Sequence, residues 1–271
     1  MPELPEVETT CRGISPHILG QVVTDIIIRQ KQLRWPITPG LKKGMSDQRI
    51  FAVSRRGKYI LLETRAGTAI VHLGMSGSLR IVDPSTAVRK HDHVDIVFSN
   101  GKVLRLHDPR RFGALLWTQE NPQTHKLLMD LGLEPLTDDF SAPYLHTLSR
   151  RRKASVKTFI MNSHVVVGVG NIYASETLFL AGIRPTHHAD KISLPRYELL
   201  VKAIKKVLAA SIKQGGTTLR DFVNESGQPG YFQQTLNVYG RAGEACKQCG
   251  TLISVSRQMQ RSTFYCKHCQ K

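Results

Sequence analysis

Val7, Cys11 and Ile14 recur at helical spacing and place one apolar face on a helix predicted from Pro5 to about Leu19. Pro5 suits the first helical position, and Glu6 and Glu8 suit the positive end of the helix dipole. The pattern then changes to short β-rich runs punctuated by glycine: "VVTDIIIR", "RIFAVSRRGKYILLET", "TAIVHLGMSGSLRIV", "HDHVDIVFSNGKVLRLHD" and "FGALLWT". Asn100-Gly101, between two apolar runs, is a hairpin signal. Strands at this spacing predict a β-sandwich or barrel with the first helix packed on it.

Residues 131–145, "LGLEPLTDDFSAPYL", are rich in turn formers and mark a domain junction. Helical patterns follow over 144–162, 171–181 and 194–213, the last ending at Gly215-Gly216. Strands followed by helices define an α+β chain. The polar, glycine-bearing stretch that begins at Gly215 is long for a loop, and loops of that length are more often functional than filler.

Composition narrows the partners. With 271 residues, 41% of them hydrophobic, the chain is predicted to fold as one large domain or two ordinary ones. There is no apolar run of about eighteen residues, so no membrane span is predicted. The acidic first residues argue against an export signal. The formal net charge of +17 fits a polyanionic partner, either nucleic acid or an anionic membrane, although basic proteins can also be merely soluble. The charge is lopsided: from Leu145 onward there are 19 Lys and Arg against 6 Asp and Glu, and before it 19 against 15.

Four of the five cysteines form Cys246-x2-Cys249 and Cys266-x2-Cys269, the spacing of a four-cysteine structural zinc site. A redox pair does not need a second copy, and disulfides do not persist in a reducing compartment. Four ligands close the coordination shell, so such a metal is structural. The residues between the pairs read as a hairpin that presents Arg257 and Arg261. Cys11, alone on an apolar face, reads as a small buried residue. Gly168 and Gly170 precede Asn171, which opens a helix whose free N–H groups favour an anion, and Asn171 either caps that helix or reaches a phosphate. Upstream lies a basic run, Arg150 to Lys153, with Lys157 four residues further on.

Together the segments "PELPEVE", "RRGKYILLE", "HLGMSGSLR", "KHDHVD", "DPRRFGA", "VGVGNIYASE" and "QRSTFYC" resemble the bacterial formamidopyrimidine-DNA glycosylases along the whole chain. The resemblance implies a β-sandwich over 1–134, a linker at 135–145, a helix–two-turn–helix domain over 146–235 and a zinc finger over 236–271, with damaged duplex DNA in the cleft. It implies removal of oxidised purines followed by strand cleavage, by a monomer in the bacterial cytoplasm, associated with the nucleoid through DNA. One structural Zn2+ is implied.

The resemblance also assigns roles. Met1 is removed and the secondary amine of Pro2 becomes the nucleophile; an α-amino group titrates near ~8, far below lysine, so it is more readily neutral. Helix capping accounts for Glu6 and Glu8 but not for Pro2 or Glu3. Glu3 matches the acid/base carboxylate, Lys58 a lysine assisting β-elimination, and Arg261 a finger arginine assisting δ-elimination. Lys58, His72, Asn171 and Arg261 match a phosphate clamp, while His91, Arg110 and Lys153 match further DNA contacts. Met75, Arg110 and Phe112 match the residues that enter the duplex when a base is extruded. Lys157 lies near the pocket for that base, and the loop at 215–232 matches the segment that closes over it. Two rivals are an endonuclease VIII-like relative acting on oxidised pyrimidines and a non-catalytic zinc-ribbon protein. Leu4, Met75 and Phe112 depart from the first, while the Pro2 and Lys58 matches have no use in the second.

Overall fold

The computed structural model describes residues 2–216 and 236–271. They fall into two units, residues 2–130 with 214–216, and residues 131–213 with 236–271.

In the first unit, helix α1 (Leu4–Ile18) starts one residue earlier than the sequence predicts, with Glu3 as its N-cap and Pro5 in its first turn. Its apolar face buries Val7, Cys11, Ile14 and Ile18, as helical periodicity requires. Burial pushes the Cys11 thiol up to about 12, so it stays neutral, as a small core residue. A short helix, α2 (Leu41–Met45), contributes Leu41 and Met45 to the same core.

The strands form two antiparallel four-stranded sheets. One runs in the order β1 (Val23–Ile28), β6 (Asp92–Phe98), β7 (Val103–His107), β5 (Ser78–Val82). The other runs β2 (Ala52–Arg56), β3 (Tyr59–Thr64), β4 (Gly67–His72), β8 (Ala114–Thr118). Alternation sorts the faces: Leu104 and Leu106 of β7 join Ile60, Leu62 and Val71 of the second sheet in one core, while Arg105 sits on the opposite face. There Arg105 grips Asp95 through two hydrogen bonds of 2.8 and 2.9 Å. Asn100-Gly101 does turn β6 into β7, and Gly101 takes φ +76°, the left-handed position a three-residue hairpin loop demands.

In the second unit, the single helix expected over 144–162 is two helices, α3 (Ala142–Ser149) and α4 (Val156–Ile160). Arg151 between them takes φ +67°, which a helix cannot carry. Ser155 then restarts the chain by capping α4, accepting from the N–H of Thr158 at 3.2 Å. Helices α5 (Asn171–Leu180) and α6 (Leu194–Lys213) pack with them around Phe140, Tyr173, Tyr197 and Leu200. A hairpin, β9 (Ser254–Gln258) and β10 (Arg261–Tyr265), completes the unit over a small cluster of Phe179, Val238, Ile253 and Cys266. Among the described residues no helix is long and apolar enough to cross a membrane. Most of the loop expected to close over a base, at 215–232, lies outside the described residues.

Candidate active site

The N-terminal stretch is built as a capping box, so capping does account for Glu3, contrary to the expectation from sequence. Glu3 and Glu6 exchange hydrogen bonds across the first turn of α1, with the Glu3 N–H donating to Glu6 Oε2 at 2.8 Å. Both carboxylates are buried, Glu6 completely, and Pro2 is buried beside them. The bond that Glu6 receives comes from the peptide joining Pro2 to Glu3, so the nitrogen of Pro2 is held close to a fixed atom. A Cβ on Gly216 would lie 3.3 Å from Glu6 Oε1, so that glycine closes over the box.

Lys58 sits at the tip of the β2–β3 hairpin, behind Gly57, whose φ of +58° gives the two-residue turn its left-handed position. His72, at the end of β4, pairs with Tyr59, and their rings are 4.9 Å apart. Burial, with Lys58 and Arg34 nearby, lowers His72 to about 4, so the ring is neutral at physiological pH. Its Nδ1 accepts from the Gly74 N–H at 3.0 Å, which leaves the ring proton on Nε2 as a donor. Arg34 is an addition that sequence reading missed, because nothing near position 34 ties it to His72.

Met75 and Phe112 are exposed apolar side chains on two loops whose backbones touch. A Cβ on Gly74 would stand 2.5 Å from the Gly113 nitrogen, so only glycine allows that approach. Buried Asp108 accepts from the N–H groups of Arg111 and Gly113 at 3.1 and 2.8 Å and shapes the second loop. Arg110 lies over the Phe112 ring at 4.9 Å. The structure therefore brings Met75, Arg110 and Phe112 together on a braced, exposed edge. His91 precedes β6 with φ +79°, in edge-on contact with His93 and His107, and Lys153 is exposed in the α3–α4 connection.

In the second unit, Gly170 and not Asn171 is the N-cap of α5. Freed from capping, Asn171 accepts from Lys157 Nζ at 2.6 Å and donates to the Ser262 carbonyl at 3.0 Å. Lys157 is buried, and its ammonium also reaches the Ser262 carbonyl and Thr263 Oγ1 at 3.1 and 2.7 Å. It therefore ties α4 to α5 and to β10, whose first residue is the exposed Arg261. Met259 and Gln260 turn the hairpin with φ +46° and +60°, a turn that glycine usually fills. Gln258 receives a hydrogen bond from Ser155 at 2.6 Å, which fixes the hairpin to the start of α4. Glu176, another residue sequence reading missed, is buried and accepts from the backbone N–H groups of Asn237, Val238 and Tyr239 at 2.8 to 2.9 Å.

Cys246, Cys249, Cys266 and Cys269 place their sulfurs within 4.8 Å of one another. Two pairs stand at 3.9 and 3.5 Å, and a tetrahedral ion with ~2.3 Å bonds spaces its sulfurs by roughly 3.8 Å. Hydrogen bonding to Thr251 draws Cys249 down to about 6, while burial and the neighbouring thiols push Cys266 and Cys269 up. A dication relieves that conflict by favouring all four thiolates, and the residues fit zinc.

A β-sandwich that buries Pro2 and two carboxylates at the start of its first helix, with a helical unit carrying a four-cysteine hairpin, defines a narrow class of protein. Three family models match in order: the formamidopyrimidine-DNA glycosylase N-terminal domain at residues 1–115, its H2TH domain at 131–223, and the zinc finger found in FPG and IleRS at 243–271. Formamidopyrimidine-DNA glycosylases of Methylococcus capsulatus and Shewanella halifaxensis are 58% and 56% identical over 271 residues, covering all of both chains. The structure of wild-type Lactococcus lactis Fpg (MutM) in complex with DNA containing N7-benzyl-Fapy-dG is similar with a TM-score of 0.91 at 32% identity, covering all of both chains. That of the MutM (Fpg) protein of Thermus thermophilus is similar with a TM-score of 0.89 at 33% identity, covering 99% of this chain and 98% of the other. The chain belongs to the formamidopyrimidine-DNA glycosylase family.

Proposed function

We infer that this protein is a base-excision-repair DNA glycosylase and AP lyase that removes oxidised purines, 8-oxoguanine and formamidopyrimidines, from duplex DNA. The observation that carries the reading is the buried Pro2-Glu3 pair at the start of α1, fixed by Glu6. Once Met1 is removed, the lone pair of Pro2 attacks C1′ as the glycosidic bond breaks, and the purine leaves with the electrons of that bond and takes up the proton shed by the proline nitrogen. Glu3 protonates the opening sugar oxygen, and an iminium forms between proline and C1′. The iminium is an electron sink, so the C2′ proton is lost and the 3′-phosphate leaves; loss of the 5′-phosphate follows. Lys58 assists the first elimination and Arg261 the second.

The neutral Nε2–H of His72, Lys58, Asn171 and Arg261 donate to DNA phosphates, with His91, Lys153 and Arg110 as further contacts. Met75 and Phe112 fill the stack left by an extruded base, while Arg110 hydrogen-bonds the widowed base. Lys157 acts through Asn171 and the hairpin. Zinc, held by the four cysteines, stiffens that hairpin. The working division of the chain is a catalytic sandwich at 1–134, a linker at 135–145, a helix–two-turn–helix domain at 146–235 and the finger at 236–271. The protein works as a monomer in the cytoplasm, on nucleoid DNA.

Borohydride trapping on a duplex with 8-oxoguanine opposite cytosine tests the reading. A covalent protein–DNA adduct is expected, weakened by Pro2→Gly and lost in Glu3→Gln. Trapping unaffected by either change rejects the mechanism, and preferential trapping on oxidised pyrimidines points to the endonuclease VIII-like reading.

A further inference from the structure

A short chain of hydrogen bonds joins helix α1 to the hairpin that carries Lys58. Arg55 of β2 donates through Nε to Glu8 Oε2 at 2.9 Å and through Nη1 to the Gly57 carbonyl at 2.9 Å. Arg12, one helical turn after Glu8, donates to the other oxygen of the same carboxylate at 2.8 Å. Burial raises the Glu8 carboxyl, but the bonds from Arg12 and Arg55 outweigh it and hold the group below its usual value, so it is ionised at neutral pH. The Arg55 and Glu8 side chains are 11% and 22% exposed, which shields the pair from the water that weakens surface ion pairs.

Strand alternation brings Arg55 to this place. Val53 packs on the core, and Arg55, two residues on, shares its face, where α1 lies on β2. Strand β2 is at the edge of its sheet, and its hairpin turns over Gly57 and Lys58 alone, since Arg56 pairs with Tyr59. Gly57 takes φ +58°, whereas the φ of Lys58 is not positive, the pattern of a type II′ turn. A type I′ turn differs from it by a flip of the Gly57–Lys58 peptide, which would drive Lys58 into positive φ and re-aim its side chain. The bond from Arg55 to the Gly57 carbonyl holds that peptide in one orientation. Glu8 follows Glu3 by five residues, about 7.5 Å along the helix axis. One rigid helix therefore carries Glu3 at its N-cap, beside Pro2, and the anchor of the Lys58 turn.

We propose that Glu8 and Arg55 are positioning residues for the first elimination: by tying the Gly57–Lys58 peptide to α1 they set where the Lys58 ammonium stands relative to Pro2. The role of Lys58 in that step is the one proposed above. The effect is selective, because attack by Pro2 needs only the start of α1, whereas loss of the C2′ proton and of the 3′-phosphate also needs Lys58.

The test uses the full-length, zinc-loaded protein in single-turnover assays at saturating enzyme. Cleavage of a duplex with a preformed abasic site reads elimination, and borohydride trapping on the same duplex reads iminium formation. Arg55→Met is expected to slow cleavage about tenfold while trapping stays within about twofold, the cost of misplacing one group. Arg55→Lys, which offers a point charge in place of a fork, should behave likewise. Glu8→Ala is expected to slow cleavage severalfold, and Glu8→Gln, which keeps an acceptor for Arg55, to retain most of the parent rate. Adding Glu8→Ala to Arg55→Met should cost nothing further, since both act through one chain of bonds. In the DNA-free protein, Glu8→Ala is expected to move the amide NMR signals of Gly57 and Lys58, far from it in sequence. Equal slowing of cleavage and trapping, additive effects, or unmoved Gly57 and Lys58 signals would overturn the proposal. A parent that neither traps nor cleaves would overturn the function proposed above, and the NMR signals would still decide whether Glu8 sets the Lys58 turn.

Discussion

Glu6 Oε2 lies 2.8 Å from the backbone nitrogen of Glu3, and the carboxylate that accepts this bond is completely sealed from solvent. Removing the acceptor unpairs a buried N–H next to Pro2. Glu6→Ala is therefore expected to destabilise the first unit by about 1–3 kcal/mol and to slow trapping in single-turnover assays. Glu6→Gln keeps an oxygen in the capping box and should retain most of both. Equal behaviour of the two variants would show that the box does not position the N-terminus.

Lys157 satisfies acceptors on α5 and β10 with one buried ammonium. Lys157→Met keeps its length but strands Asn171 Oδ1 and Thr263 Oγ1. A loss of roughly 2–4 kcal/mol in urea unfolding of the second unit is expected. DNA affinity should fall together with the salt slope, because Asn171 and Arg261 lose their positions; an unchanged slope would confine the effect to stability.

His72 has a folded-state pKa lowered from 6.5 to about 4, first by burial and then by Lys58 and Arg34. Between those values the unfolded chain binds the proton and the folded one does not. This contribution is therefore complete above pH 6.5 and declines as pH falls towards 4, below which both states are protonated. His72→Asn, which retains an acceptor for the Gly74 N–H, should flatten the pH dependence of the urea midpoint in that window. Parallel curves for parent and variant would contradict the assignment.

The finger rests on a small core around Phe179, Val238 and Ile253, too little to hold the hairpin unaided. Zinc chelation, or Cys246→Ser, should abolish DNA binding while the melting of the first unit stays unchanged. Colorimetric titration should find one zinc per chain in the parent, and full DNA affinity in zinc-free protein would remove the finger's role.

The cysteine spacing, the first helix and the Asn100-Gly101 hairpin were legible because each depends on local rules: ligand spacing, a 3.6-residue period and a left-handed glycine. The helix break at Arg151 was not, since Ser155 caps α4 within a stretch whose apolar pattern still reads as continuous. The roles of Glu176, Asp108 and Arg34 were hidden for a related reason. The partners of Glu176 and Arg34 come from other loops and strands, those of Asp108 from its own loop, and the backbone donors that Glu176 and Asp108 engage leave no trace in side-chain patterning.

The chain alone determined a sandwich followed by a helical, zinc-bearing region, together with the residue types its chemistry needs. Only the tertiary structure decided that Gly170 caps α5 and releases Asn171 to Lys157, and that Gly74 lets the Met75 and Phe112 loops touch. Each of these is a matter of hydrogen-bond partners and contact distances between residues far apart in sequence, which close packing sets and periodicity cannot encode.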